Sequence, residues 1–227
     1  MLTKVIITLL SRCSRYAIRC FREAKWDAAL SIKGYLGDKK LGIDTGWYDY
    51  INEHNSSDDS FRYEPTSYAV IQKVINYLKF NTDDVFIDYG CGSGRVIFAI
   101  ATQRLKRIIG IEFDEAFVNI AKANQRQFKI KNTPIEIVHA DACSFNPEEG
   151  TIFFLGNPFG EKTLKTVMDN IENSLNQNPR YIRIVYFNST GKSVLEKIDW
   201  LELEDVIDKN NSGTTVWRNK TPHQITT

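Results

Sequence analysis

The chain has 227 residues, 42% hydrophobic and 25% charged, and its 29 Lys and Arg against 28 Asp and Glu give a formal net charge of +1. That length suits one α/β domain with an extension, or at most two small domains, and the near-zero charge argues against a uniformly basic nucleic-acid binder while leaving room for a local basic patch. The four cysteines, Cys13, Cys20, Cys91 and Cys143, form no CxxC pair, which speaks against a structural metal site or a disulfide framework and for reduced thiols in a cytoplasmic setting.

In chain order, Leu2 to Leu10 is apolar apart from the interruption at Lys4, and Ser11-Arg12-Cys13-Ser14-Arg15 is the wrong flank for a signal peptide. Arg12, Arg15, Arg19 and Arg22 fall on one arc of a helical wheel, with Leu2, Ile6, Leu9, Cys13, Tyr16 and Cys20 on another. Packing on the rest of the protein is the first reading of this helix. Peripheral contact with a membrane surface or a nucleic acid is the alternative. A Gly-containing stretch follows, from Gly34 to Gly46, and the polar run Asn55 to Ser60 marks a loop. Residues 1–58 are therefore read as an N-terminal helical extension and residues 59–227 as the main domain.

From there the pattern alternates. Ser67 to Phe80 carries apolar residues at helical spacing, and Val85-Phe86-Ile87 is a short apolar strand. A helix begins at Val96, a second strand at Ile108, a second helix around Phe117, a third strand at Ile135 and a fourth at Ile152. The link between the third and fourth strands leaves room for a small helix only. Leu164 to Leu175 predicts a helix, Tyr181 to Phe187 a fifth strand, and Trp200 to Val206 with Thr214 to Trp217 a closing antiparallel pair. The expected fold class is α/β: a Rossmann-like three-layer sandwich on a mostly parallel seven-strand sheet.

The chemistry concentrates in Asp88-Tyr89-Gly90-Cys91-Gly92-Ser93-Gly94-Arg95, which closes the first strand and opens a helix. Glycines there allow a tight turn and a close ligand approach, and the helix start offers free N–H donors. Glu112 ends the second strand, where a carboxylate can take ribose hydroxyls; Asp141-Ala142 follows the third, where a carboxylate can hold an adenine amino group. The GxGxG spacing differs from the GxGxxG dinucleotide fingerprint, and Asp88 suits a cationic amino group while repelling a pyrophosphate. An NAD-dependent oxidoreductase is disfavoured on both counts.

This set resembles the class I, seven-strand S-adenosylmethionine-dependent methyltransferases. More narrowly it is similar to bacterial methyltransferases of unassigned substrate, through Gly42-Ile43-Asp44-Thr45, Tyr63-Glu64-Pro65-Thr66, Asp88 to Arg95, Ile109 to Phe113, Asp141-Ala142, Leu155 to Phe159, Asn170-Ile171 and Pro179-Arg180. It also resembles small seven-strand protein-lysine methyltransferases, which carry a Tyr/Phe-x-Pro-Ser/Thr loop before the glycine motif. The resemblance implies S-adenosyl-L-methionine as cofactor. The implied contacts are Tyr63, Thr66, Asp88, Gly90, Cys91, Gly92, Gly94, Glu112, Phe113, Asp141, Ala142 and Asn157, with Tyr63 and Thr66 covering the methionine end.

Asn157-Pro158-Phe159 follows the fourth strand and is the expected catalytic segment. Asn-Pro-Pro-Phe/Tyr occurs in enzymes that methylate adenine or protein glutamine nitrogens, where amide and backbone oxygens accept the target N–H and the ring stacks on a planar substrate. Here the second proline is missing. The expected acceptor is a nitrogen of a protein, lysine or amide, or of another macromolecule. The alternatives are an amino-base nucleic-acid methyltransferase and a non-catalytic binding module. His139 is read as structural, Cys91 as packing, and Tyr186-Phe187-Asn188 as candidate lining of the acceptor pocket.

Overall fold

The computed structural model describes residues 32–46, 63–187, 191–207 and 213–220. The basic helix expected near the N-terminus, the polar loop at Asn55 to Ser60 and Asn188 lie outside these residues. Residues 32–41 are helical (α1), so Gly34 and Gly37 sit inside a helix rather than in an open stretch. Packing explains both. A Cβ on Gly37 would stand 2.2 Å from the Tyr68 ring, and one on Gly34 3.2 Å from the Arg95 guanidinium.

The remaining helices are α2 (Tyr68–Leu78), α3 (Arg95–Ile100), α4 (Glu115–Gln127), α5 (Glu161–Gln177) and α6 (Lys192–Leu195). Local chemistry sets their ends. The Ser67 hydroxyl accepts from Val70 N–H at the start of α2, and the Asp114 carboxylate accepts from Ala116 N–H at the start of α4.

Seven strands form one sheet: β1 (Val85–Tyr89), β2 (Arg107–Glu112), β3 (Ile135–His139), β4 (Ile152–Leu155), β5 (Arg183–Tyr186), β6 (Leu201–Val206) and β7 (Thr215–Asn219). Their order is β3-β2-β1-β4-β5-β7-β6. β1 to β5 run parallel, and β7 lies antiparallel to both of its neighbours, β5 and β6. The link between β3 and β4 holds a single 3-10 turn, Ala142–Ser144. The outermost strand β6 is broken by a register shift between Leu203 and Asp205.

Alternation along the strands divides the core in two. On one face Phe86, Ile108 and Phe154 pack with Ile71 and Val74 of α2, Ile97 and Phe98 of α3 and Val118 of α4; Leu41 and Ile43 from the N-terminal stretch join them. On the other face Ile87, Tyr89, Phe153 and Leu155 meet Leu164, Val167 and Ile171 of α5 and Leu195 of α6. The result is helix, sheet, helix, with the central strands buried on both sides.

Far from the carboxyl edge, Arg180 fastens the other end of the molecule. Its five N–H donors reach the carbonyls of Gly150, Pro147, Ser174 and Asn178 and the Ser174 hydroxyl, at 2.8–3.1 Å.

Candidate functional site

Parallel pairing brings the strand ends to one edge. Asp88 stands opposite Gly110 on one side and Phe154 on the other, and Glu112 stands opposite His139. The order of strands reverses between β1 and β4, which opens a crevice at their carboxyl ends.

After β1 the chain folds back sharply. Gly90 and Cys91 N–H both donate to the Ile111 carbonyl at 2.9 Å. Gly90, Gly92 and Gly94 have φ of +73°, +52° and +96°, a region that glycine enters without steric cost. The space a Cβ would need is taken by the protein's own side chains: Pro158 at Gly90, Tyr63 at Gly92 and Phe98 at Gly94, each 2.4–2.5 Å away. The glycines therefore serve close packing as well as backbone approach. Cys91 is buried with Sγ against Gly110; burial pushes its thiol well up, so it packs rather than reacts.

The two acids at the crevice differ. Glu112 is held by three backbone donors: Gly92 N–H to Oε2 at 2.8 Å, and Phe113 and Asp114 N–H to Oε1 at 3.0 Å. Burial raises its pKa, and those backbone bonds pull it part of the way back. Asp88 is 2% exposed, and no described residue gives its carboxylate a hydrogen bond. Burial first, and the neighbouring Glu112 second, raise its pKa well above the carboxylate range. Among the described residues no cation offsets this arrangement.

Tyr63 caps the loop. Its ring covers Gly92 and lies 4.5 Å from the Phe117 ring, centre to centre, and its hydroxyl bonds Ser93 Oγ and the Thr45 carbonyl. Thr66 is buried, with its hydroxyl beside Gly156. Phe113 is about half exposed beside Glu112, and its carbonyl is bonded to His139 Nε2 at 2.9 Å. Asp141 is exposed and caps the 3-10 turn through Oδ1, which accepts from Cys143 N–H at 2.8 Å next to Ala142.

Across the crevice, Asn157 has φ of +56°, the left-handed conformation that asparagine tolerates better than most residues. Pro158 rests on Gly90, so the segment after β4 touches the glycine loop. Phe159 is turned inward. It is 8% exposed in the core shared with Leu164 and Leu195, which leaves little of its ring for a substrate to stack on. Tyr186 is likewise buried, and its hydroxyl accepts from Gly191 N–H at 3.1 Å.

One polar cluster had no assigned role in the sequence. Asp38, Thr45, Tyr68 and Arg95 form a buried or half-buried node behind the glycine loop. Asn124 joins it, donating to the carbonyls of Asp44 and Ser93 at 2.7 and 2.9 Å. The available signal was Arg95, a charge heading an otherwise apolar helix.

The residues present fit S-adenosylmethionine. Asp88 and Glu112 suit the ammonium and ribose of such a ligand, whereas the buried Asp88 beside the glycine loop repels a pyrophosphate. Among the described residues no cluster of His, Cys, Asp and Glu could hold a metal ion, and no helix is long and apolar enough to cross a membrane.

Comparison with known proteins points the same way. A family model described as a methyltransferase domain matches residues 80–198, just over half of the chain. A protein-lysine N-methyltransferase of Saccharolobus islandicus is 33% identical over 63 residues, 27% of this chain and 39% of that protein. A protein of Methanocaldococcus jannaschii named as a cobalt-precorrin-6B C(15)-methyltransferase (decarboxylating) is 39% identical over 61 residues, 27% of this chain and 33% of that protein. The matched part thus spans well under half of either relative. Among solved structures, the Escherichia coli yhhF protein, assigned as a methyltransferase, superposes with a TM-score of 0.55 at 20% identity, covering 70% of this chain and 89% of that one. The chain belongs to the methyltransferase-domain family, and its fold is that of the class I S-adenosylmethionine-dependent methyltransferases.

Proposed function

We propose that this protein is an S-adenosylmethionine-dependent methyltransferase that methylates a nitrogen of a protein side chain, with residues 59–227 as its main domain and residues 1–58 as an extension leaning on it. The observation that carries the reading is Asp88: buried, without a hydrogen-bond donor among the described residues, and one loop away from Asn157 through the Gly90–Pro158 contact.

S-adenosylmethionine supplies an electrophilic methyl group on a sulfonium. The chain's residues bind and align. Asp88 takes the ammonium of the methionine end, and Glu112, with three backbone donors already engaged, accepts from the ribose hydroxyls. Asp141, exposed just after β3, accepts from an adenine amino group, and Phe113 offers a half-exposed ring beside the base. Tyr63 and Thr66 roof the glycine loop and exclude water. At the acceptor side, Asn157 has an amide oxygen that accepts the target N–H and aims the nitrogen lone pair; Pro158 fixes that residue against the loop. Asn157 accepts a hydrogen bond but cannot remove a proton, so a lysine acceptor enters as the free amine. The Saccharolobus relative's lysine activity supports a protein nitrogen as acceptor.

Calorimetry with S-adenosylhomocysteine tests the donor half. Binding is expected for the natural sequence and loss of it for Asp88→Ala and Glu112→Ala, whereas selective NAD binding overturns the reading. Radiolabelled methyl donor in lysate fractions tests the acceptor half. Label is expected in protease-sensitive material. Label in nuclease-sensitive material points to an amino-base acceptor, label in small molecules to chemistry nearer that of the Methanocaldococcus relative, and neither leaves the protein acceptor standing.

A further inference from the structure

Arg95 is the first residue of α3, immediately after Gly94, and its side chain reaches back to residues 38–45. Nε donates to Thr45 Oγ1 at 2.6 Å and stands 3.4 Å from Asp38 Oδ1. Nη2 donates to the Thr45 carbonyl at 3.1 Å and to Asp38 Oδ2 at 3.4 Å, and the guanidinium lies 5.3 Å from the Tyr68 ring centre. The Asp38 carboxylate takes further bonds from Thr45 N–H at 2.9 Å and from the Tyr68 hydroxyl at 2.6 Å. Each charge of this buried pair is thus neutralised and hydrogen-bonded, the condition under which such a pair persists in a core.

Thr45 is the hub. Its hydroxyl lies 2.8 and 2.9 Å from the two Asp38 oxygens while accepting from Arg95. Its carbonyl accepts from Arg95 and also from the Tyr63 hydroxyl at 3.3 Å. Tyr63 in turn bonds Ser93 and covers Gly92, whose N–H is the donor to Glu112 Oε2. A continuous set of contacts therefore runs from Asp38 to the ribose-facing carboxylate.

We infer that Thr45, with Asp38 and Arg95, is a positioning residue for donor binding: it clamps residues 38–46 onto the glycine loop and so sets Tyr63 over Gly92. The inference rests on the proposed donor site. A pair needed only for stability has no reason to share its hub oxygen with the roof of that site.

The test uses the full chain with Thr45→Val, which keeps the shape and removes the hydroxyl, and Thr45→Ser, which keeps the hydroxyl. S-adenosylhomocysteine affinity is read by calorimetry, the unliganded melting temperature by scanning, and KM and kcat where turnover is measurable. Thr45→Val is expected to weaken binding about tenfold and to raise the donor KM with kcat within twofold, while Thr45→Ser restores affinity to within twofold. Equal affinity in Thr45→Val with a lowered melting temperature overturns the inference and leaves a purely structural node. Should Thr45→Val not fold, Tyr63→Phe removes only the hydroxyl that meets Thr45 and Ser93; unchanged affinity there overturns it equally. No binding by the natural sequence is a different failure, that of the donor site itself.

Discussion

Asp88, proposed above to take the ammonium of the cofactor, is a residue that the fold carries at a cost. In the unfolded chain its pKa is about 3.9; in the fold, burial and Glu112 raise it. The folded state then holds the proton more tightly, so this group's contribution to stability is fully present below the unfolded pKa and is lost as pH rises through the folded one. Asp88→Asn is therefore expected to raise the melting temperature at neutral pH, by roughly 2–4 °C for each kcal/mol recovered, and to flatten its fall above pH 4. The same change should weaken S-adenosylhomocysteine binding. Scanning across pH with calorimetry checks both, and a lowered melting temperature would show that the carboxylate stabilises the unliganded fold. The convergence of Asp88 and Glu112 on one edge of the sheet was legible in the sequence because strand ends in a parallel sheet meet there whatever the details. The inward turn of Phe159 was not, since the face a residue takes after a strand depends on α5, which packs over it. Asp38 and Asn124 carried no signal either, for Asp38 finds its charge partner 57 residues away in Arg95 and Asn124 joins Asp44, 80 residues away.

At the scale of elements, the strands were readable because a sheet buried on both faces demands apolar runs, which β4 supplies in full and β1 supplies up to Asp88. The helical state of residues 32–41 was hidden. Glycine lowers helix propensity, and the gain that offsets it at Gly34 and Gly37 comes from contact with Arg95 and Tyr68, two side chains outside that segment. Arg180 is the opposite case, a motif residue with a structural use. It binds four carbonyls and a hydroxyl where α5 hands over to β5, at the edge of the sheet away from the crevice. Arg180→Met is expected to cost about 2–3 kcal/mol, because the carbonyls lose a charged donor, with S-adenosylhomocysteine affinity unchanged. Denaturant titration and calorimetry on the same sample separate the two effects, and a loss of affinity would tie this end of the sheet to the site.

For the whole molecule, the question is where the folding unit begins. Leu41 and Ile43 lie in the core, and Asp38 neutralises Arg95 inside it. A chain starting at residue 59 loses all three, uncovers the apolar surface they pack on and strips the Arg95 guanidinium of its carboxylate. Truncations starting at 32 and at 59 are expected to differ accordingly, the shorter melting lower or failing to remain in solution; equal melting temperatures would make residues 32–58 a dispensable arm. The outer margin of the sheet has a further consequence. β6 reads Leu-Glu-Leu-Glu-Asp-Val, its ladder is kinked between Leu203 and Asp205, and Glu204 is engaged by the hydroxyls of Tyr77 and Tyr181. A second copy approaching along this strand would meet a bent row of amides set among carboxylates, with no flat template to zip onto. At this margin the sheet is thereby guarded against growing from molecule to molecule.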